Sequence, residues 1–168
     1  MRLAKTLHII VHAAAMALAT AMTGCETVDT ERIPDVPVNV TFRGEQMWTA
    51  FGVTTPLQYR RFIKQLKEPT SFFYVVSDYT GYGGLLLAAD YYGNPVVYDL
   101  ACPVECKPDV RVVGNADCHI AECPKCHSTY AVFENYGIPR SGLAKECNYG
   151  LKRYRVSRAA NGDYMITR

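Results

Sequence analysis

Six of the seven cysteines fall between Cys102 and Cys147, and five of these crowd into the 25 residues from Cys102 to Cys126. Cys102-Pro103-Val104-Glu105-Cys106 has three residues between its thiols and Cys123-Pro124-Lys125-Cys126 has two, with 16 residues separating the pairs. Two tight turns of this kind can bring four thiolates to the corners of a tetrahedron, the arrangement that Zn²⁺ or a cysteine-ligated iron centre requires. Cys102, Cys106, Cys123 and Cys126 are therefore the candidate metal ligands. The second pair is the more regular. In the first, one extra residue widens the loop and weakens the amide hydrogen bonds that a tight turn directs at sulfur. Cys118, His119 and His127 are the substitutes within reach in the sequence.

The seventh cysteine belongs to a different chemistry. Arg2 and Lys5 form a short basic region, Ile9 to Met22 is an apolar run broken only by His12 and Thr20, and Thr23-Gly24-Cys25 follows directly. That is the layout of a signal peptide, and a run of about 14 residues falls short of the roughly 20 needed to cross a bilayer. Met22-Thr23-Gly24-Cys25 resembles the bacterial lipobox, with Met22 where leucine is usual. The resemblance implies a signal peptide over 1–24, lipid on Cys25, export to the cell envelope and membrane attachment through acyl chains, each buried methylene contributing about 0.8 kcal/mol. It also takes Cys25 out of the ligand count, leaving an even six outside the reducing cytosol.

The elements that must position those six are mostly strands. Removing residues 1–24 takes away Arg2 and Lys5 and leaves 144 residues with sixteen basic and sixteen acidic side chains, a balance that argues against nucleic acid as a partner. Residues 25–37 read as a lipidated flexible tether, because Pro34 and Pro37 interrupt regular structure, and one folded domain is expected over 38–168. Val38 to Phe42 alternates like a half-buried strand, and Trp48 to Val53 reads as a second short one. Leu57 to Leu66 carries Tyr59, Phe62, Ile63 and Leu66 at helical spacing behind Thr55 and Pro56, predicting one short N-terminal helix whose Arg60, Arg61, Lys64 and Lys67 form a solvated face. Ser71 to Ser77, Leu85 to Ala89 and Pro95 to Leu100 read as strands separated by turns at Gly81 to Gly84 and at Gly93-Asn94. Ser128 to Glu134, Leu151 to Val156 and Tyr164 to Thr167 read as three more, the last two joined at Asn161-Gly162. Short strands at this spacing predict an all-β antiparallel sandwich or barrel.

Asp99-Leu100-Ala101-Cys102-Pro103 at a strand end, followed by Cys123-Pro124-Lys125-Cys126-His127-Ser128-Thr129-Tyr130, resembles the two cluster loops of Rieske domains. Gly137 to Ala144 and Leu151 to Val156 are similar to the segment that closes that fold, and Gly81 to Leu87 with Tyr98-Asp99 to its approach to the first loop. The resemblance runs over roughly 70–168. It implies a β domain with a small zinc-ribbon-like cysteine subdomain, the metal-binding tip lying at 100–130. A Rieske centre takes Cys-x-His and Cys-x-x-His. Here Val104 stands at the first histidine position and Cys126 at the second, with His127 one residue beyond. Treating Lys125 as an insertion instead makes Cys123 and His127 ligands and pairs Cys106 with Cys126 in the disulfide that braces some Rieske loops.

Three states of the cluster are open at this point. Cys102, Cys106, Cys123 and Cys126 hold one structural zinc; or they hold a [2Fe-2S] centre that passes electrons to a redox partner, at lower potential than a Cys₂His₂ centre; or all six form disulfides in a metal-free binding domain, as an exported chain permits. Under the first two, Cys118 and Cys147 are the expected disulfide pair, since neither belongs to a turn. Catalysis is the weakest expectation. There is no Ser/His/Asp set, no carboxylate pair in a motif and no phosphate loop, and the neighbours Cys118-His119 and Cys126-His127 would point to opposite faces of a strand.

Overall fold

The computed structural model describes residues 27–134 and 136–168; the expected signal peptide, Cys25 and its acylation lie outside them. The chain is mostly β, with eleven strands and two helices among the described residues. Strands β1 (Val38–Phe42), β2 (Tyr59–Phe62), β3 (Tyr79–Thr80), β4 (Leu85–Ala89), β5 (Pro95–Asp99), β10 (Arg153–Arg158) and β11 (Tyr164–Thr167) form an antiparallel, nearly closed barrel-like sheet in the order β2-β4-β5-β10-β11-β1-β3. A second antiparallel sheet of four short strands, β6 (Val113–Asn115), β7 (Ile120–Glu122), β8 (Thr129–Ala131) and β9 (Ile138–Ser141), pairs in sequence order.

Alternation along the barrel strands creates two cores. On β4, Leu85, Leu87 and Ala89 face one core with Val40, Phe42, Phe62, Val97 and Ile166, while Leu86 and Ala88 face the other with Val96, Tyr98, Tyr130, Val132 and Phe133. A strand with both faces buried is a continuous apolar run, as Leu85 to Ala89 is. The second core lies between one barrel wall and the small sheet, and Cys102 and Cys123 are members of it.

The strands at β1, β4, β5 and β11 lie where expected, and those at Ser128 to Glu134 and Leu151 to Val156 appear with shifted ends as β8 and β10. The expected helix over Leu57 to Leu66 is replaced by β2 and a single 3₁₀ turn, Lys64–Leu66. Leu57 takes φ of +63°, which a helix cannot propagate, and Phe62 and Ile63 are both fully buried but in opposite cores. Their spacing mimicked one helical face. The helix α1 lies instead over Gly44–Phe51, where a strand was expected from Trp48 onward. Met47, Trp48 and Phe51 share its apolar side, with Trp48 stacked on Tyr164 at 4.1 Å and edge-on to Phe42 at 5.1 Å. Ser71 to Ser77 forms no strand. Its backbone is satisfied by side chains: Asp78 accepts the Val75 N–H at 2.7 Å, and Lys64, expected in solvent, donates to the carbonyls of Val75, Val76 and Asp78.

Folded structure begins before Val38. Asp29 bridges to Tyr149, Ile33 is buried, and the ammonium of Lys152, only 5% exposed, reaches Glu31 at 2.9 Å, Asp35 at 2.6 Å and the Ile33 carbonyl at 3.1 Å. Residues 29–35 of the segment read as a tether are thus fastened to the domain. The hydrogen bond from Lys152 outweighs desolvation and, with the charges of Lys152 and Arg168, holds the Asp35 carboxyl below its ordinary value. Burial would lower the Lys152 ammonium, but its hydrogen bonds to Asp35 and Glu31 outweigh this and raise it. Asp35 therefore contributes above the ordinary carboxylate range and loses its contribution as pH falls through its depressed value; Lys152 loses its own as pH rises past the ordinary lysine range. Between those limits the segment holds. Lys152→Met is expected to speed proteolysis within 29–37 and to cost about 1–2 kcal/mol of global stability, as for hydrogen bonds to charged groups; acid should reproduce the local loosening, read by amide exchange.

Candidate metal centre

Strand β5 ends on Asp99, and that residue sets the position of the first cysteine loop. Its buried carboxylate accepts the N–H groups of Tyr82 at 3.0 Å, Gly83 at 2.9 Å and Ala101 at 2.8 Å, and the Tyr154 hydroxyl at 2.8 Å. Burial pushes this carboxyl up, and the four donors pull against that. The Gly81 to Gly84 turn is thereby fixed against the loop, with Arg111 Nε donating to the Gly83 carbonyl at 2.5 Å and the Tyr82 hydroxyl to the Cys106 carbonyl at 3.1 Å. No side chain fits at Gly83, where a Cβ would lie 2.4 Å from the Ala101 nitrogen. Gly83→Ala is expected to cost about 3 kcal/mol by overpacking, visible as a lowered denaturant midpoint with unchanged m-value.

The two cysteine loops are built alike. Each starts Cys-Pro. In each, the residue four positions on donates its N–H to the carbonyl of the first cysteine, Cys106 to Cys102 at 2.9 Å and His127 to Cys123 at 3.0 Å. Each of those residues takes left-handed φ, +50° at Cys106 and +56° at His127. The backbone N–H groups of Val104 and Glu105 lie against the Cys102 sulfur and favour its thiolate.

Three of the four expected ligands converge. The sulfurs of Cys102, Cys123 and Cys126 all lie within 4.8 Å of one another, with Cys102 and Cys126 3.6 Å apart and Tyr130 Oη 3.5 Å from Cys102. Cys106 is the exception. It occupies the left-handed position that His127 holds in the other loop, one residue beyond where Cys126 turns inward, and its thiol donates to the Pro103 carbonyl at 3.0 Å. The extra residue of the first loop therefore carries Cys106 past the cluster. His127 is exposed and 3.1 Å from Glu122, and His119 lies edge-on to Tyr91 in the β6–β7 turn; neither joins the three thiols. The Cys118–Cys147 disulfide is not formed, nor is Cys106–Cys126, all six cysteines among the described residues being free.

The sulfurs differ in character. Burial pushes the Cys102 thiol up to about 12, with the Tyr130 hydroxyl partly opposing. Burial acts the same way at Cys126, but hydrogen bonding from the Ser128 side chain and backbone, and from Cys123 and Cys102, holds it below the usual thiol value. Ser128 is fully buried and its hydroxyl also accepts the Ala144 N–H at 3.1 Å, joining the second loop to the short helix α2 (Leu143–Glu146).

No family model, curated protein or solved structure matches this chain.

Three thiols, two of them fully buried, are close enough together to hold a metal ion. Sequence reasoning passed over Asp99, Ser128, Tyr130 and Glu105. The repeated Cys-Pro start was the available signal, since aligning the loops on it puts Glu105 opposite Cys126. No helix among the described residues is long and apolar enough to cross a membrane.

Proposed function

We propose that this chain is an envelope-anchored lipoprotein, Rieske-like in plan, whose cysteine loops hold a single zinc ion in a structural role. The observation that carries the metal reading is the convergence of Cys102, Cys123 and Cys126. Sulfurs around one tetrahedral zinc at about 2.3 Å lie about 3.8 Å apart, and the 3.6 Å between Cys102 and Cys126 is close to that spacing. A [2Fe-2S] centre needs two ligands on each of two irons, so its ligands straddle the cluster; three sulfurs gathered on one point suit one ion better. Burial of Cys102 and Cys123 in the core between barrel and small sheet supports a structural role, since the ion would tie the loops that close that core. The anchor rests on the lipobox at Cys25, which makes the bilayer the partner.

Metal analysis of the chain purified from its membrane fraction tests the reading. One zinc per chain, without visible absorbance, is the expected result. Two irons with acid-labile sulfide would replace it with an electron carrier and a redox partner, and six blocked thiols without metal would replace it with a disulfide-bonded binding domain. Cys25→Ser should release the chain from the membrane fraction; continued membrane association would remove the anchor.

A further inference from the structure

Three sulfurs leave a tetrahedral ion one ligand short, and the likeness of the two loops identifies the missing one. Resting on the metal reading above, we infer that Glu105 supplies the fourth ligand, giving a Cys₃Glu site for a divalent cation of zinc's class. Counted from the first cysteine of each loop, Cys126 and Glu105 occupy the same third position, immediately before the left-handed residues His127 and Cys106. The same backbone hydrogen bond closes both loops, at 2.9 Å and 3.0 Å, so the third positions hold corresponding places in the two turns. Carboxylate oxygen is an established zinc ligand at about 2.0–2.2 Å, close to the distance of a thiolate.

In this structure the Glu105 carboxylate stands outside the three-thiol group, held on the neighbouring loop, and has to swing inward to reach an ion. The Glu105 side chain is only 15% exposed, and its carboxylate pairs with Lys125, which stands between Cys123 and Cys126 on the opposite loop. Lys125 thus supplies a positive charge that holds Glu105 across the two loops. Binding an ion exchanges Lys125 for the metal at Glu105, and Lys125, 54% exposed, turns to solvent at little cost. Cys106 remains outside, bonded to Pro103.

The full chain in detergent, loaded with zinc, tests this by X-ray absorption and competition titration. The wild type and Cys106→Ser are both expected to show three sulfurs at about 2.3 Å and one lighter atom near 2.0 Å. Glu105→Cys should convert the shell to four sulfurs and tighten binding. Glu105→Gln should weaken zinc by roughly tenfold or more, whereas Lys125→Gln, which breaks the same ion pair from its other end, should not weaken it; that contrast separates a ligand from a loop clasp. Four sulfurs in the wild type with three in Cys106→Ser would overturn the assignment in favour of Cys106. An affinity unchanged in Glu105→Gln would overturn it in favour of solvent. Failure of every form to take up zinc would instead sink the metal reading itself.

Discussion

Cys123→Ser is expected to abolish stoichiometric zinc binding. A serine hydroxyl is not deprotonated near neutral pH and is a poor ligand for a borderline-soft ion, so two thiolates and one carboxylate would remain. Cys123 is fully buried in the core between the barrel and the small sheet, and its carbonyl and N–H close the second loop through His127 and Ser128. Structural zinc sites contribute about 10–16 kcal/mol of apparent binding free energy in small zinc-folded peptides. A fraction of that would still be a large part of the 5–15 kcal/mol by which a domain is stable. The expected outcome is a chain whose thermal midpoint no longer responds to zinc or chelator, while the wild type loses midpoint on chelation. Cys106→Ser should behave as wild type, because its thiol lies outside the cluster. A Cys123→Ser protein with full metal content would end the three-thiol account.

Asp99→Ala is expected to be the most damaging substitution away from the cysteines. It would leave three backbone N–H groups and the Tyr154 hydroxyl without their acceptor in a fully buried place. Each orphaned buried group costs about 1–3 kcal/mol, partly relieved by water or local shift, so a total loss of about 4 kcal/mol is a reasonable scale. Asp99→Asn keeps the shape and one oxygen but turns an NH₂ toward donors, and should cost about half as much. The readouts are denaturant unfolding for stability and zinc affinity for the position of Cys102, three residues along the chain. Loss of stability without loss of affinity would show that the first loop holds its shape without the Asp99 hub.

Much of the β framework was legible because its strands carry their pattern locally. Val38 to Phe42 alternates, Leu85 to Ala89 is uniformly apolar, and the Gly93 and Gly162 turns take left-handed φ that glycine allows without strain. The Leu57 to Leu66 segment misled for a physical reason. When a strand separates two cores, residues on both its faces are apolar, and Tyr59, Phe62 and Ile63 then imitate a helical stripe. The stretch from Ser71 was misread because backbone satisfaction by Lys64 and Asp78 leaves no periodic trace. At the candidate site, spacing located the loops and three of their thiols. It could not show that Cys106 sits one residue too far, because that depends on which residue takes the left-handed turn. The Lys152 network that fastens 29–37 is equally silent in sequence, its partners lying more than a hundred residues away.

Strand β4 has a further consequence. Because Leu86 and Leu87 are neighbours in the chain but belong to different cores, the wall they form is shared property of the barrel and the small sheet. The cysteine loops are consequently not a portable module. Transplanted alone, residues 100–150 would leave Tyr130, Val132 and Phe133 without the surface that covers them, and the barrel stripped of them would present Leu86, Val96 and Tyr98 to water. Evolution of this architecture is constrained accordingly: the two halves must drift together across that wall, and a hybrid assembled from two diverged copies should fail there even with every cysteine retained.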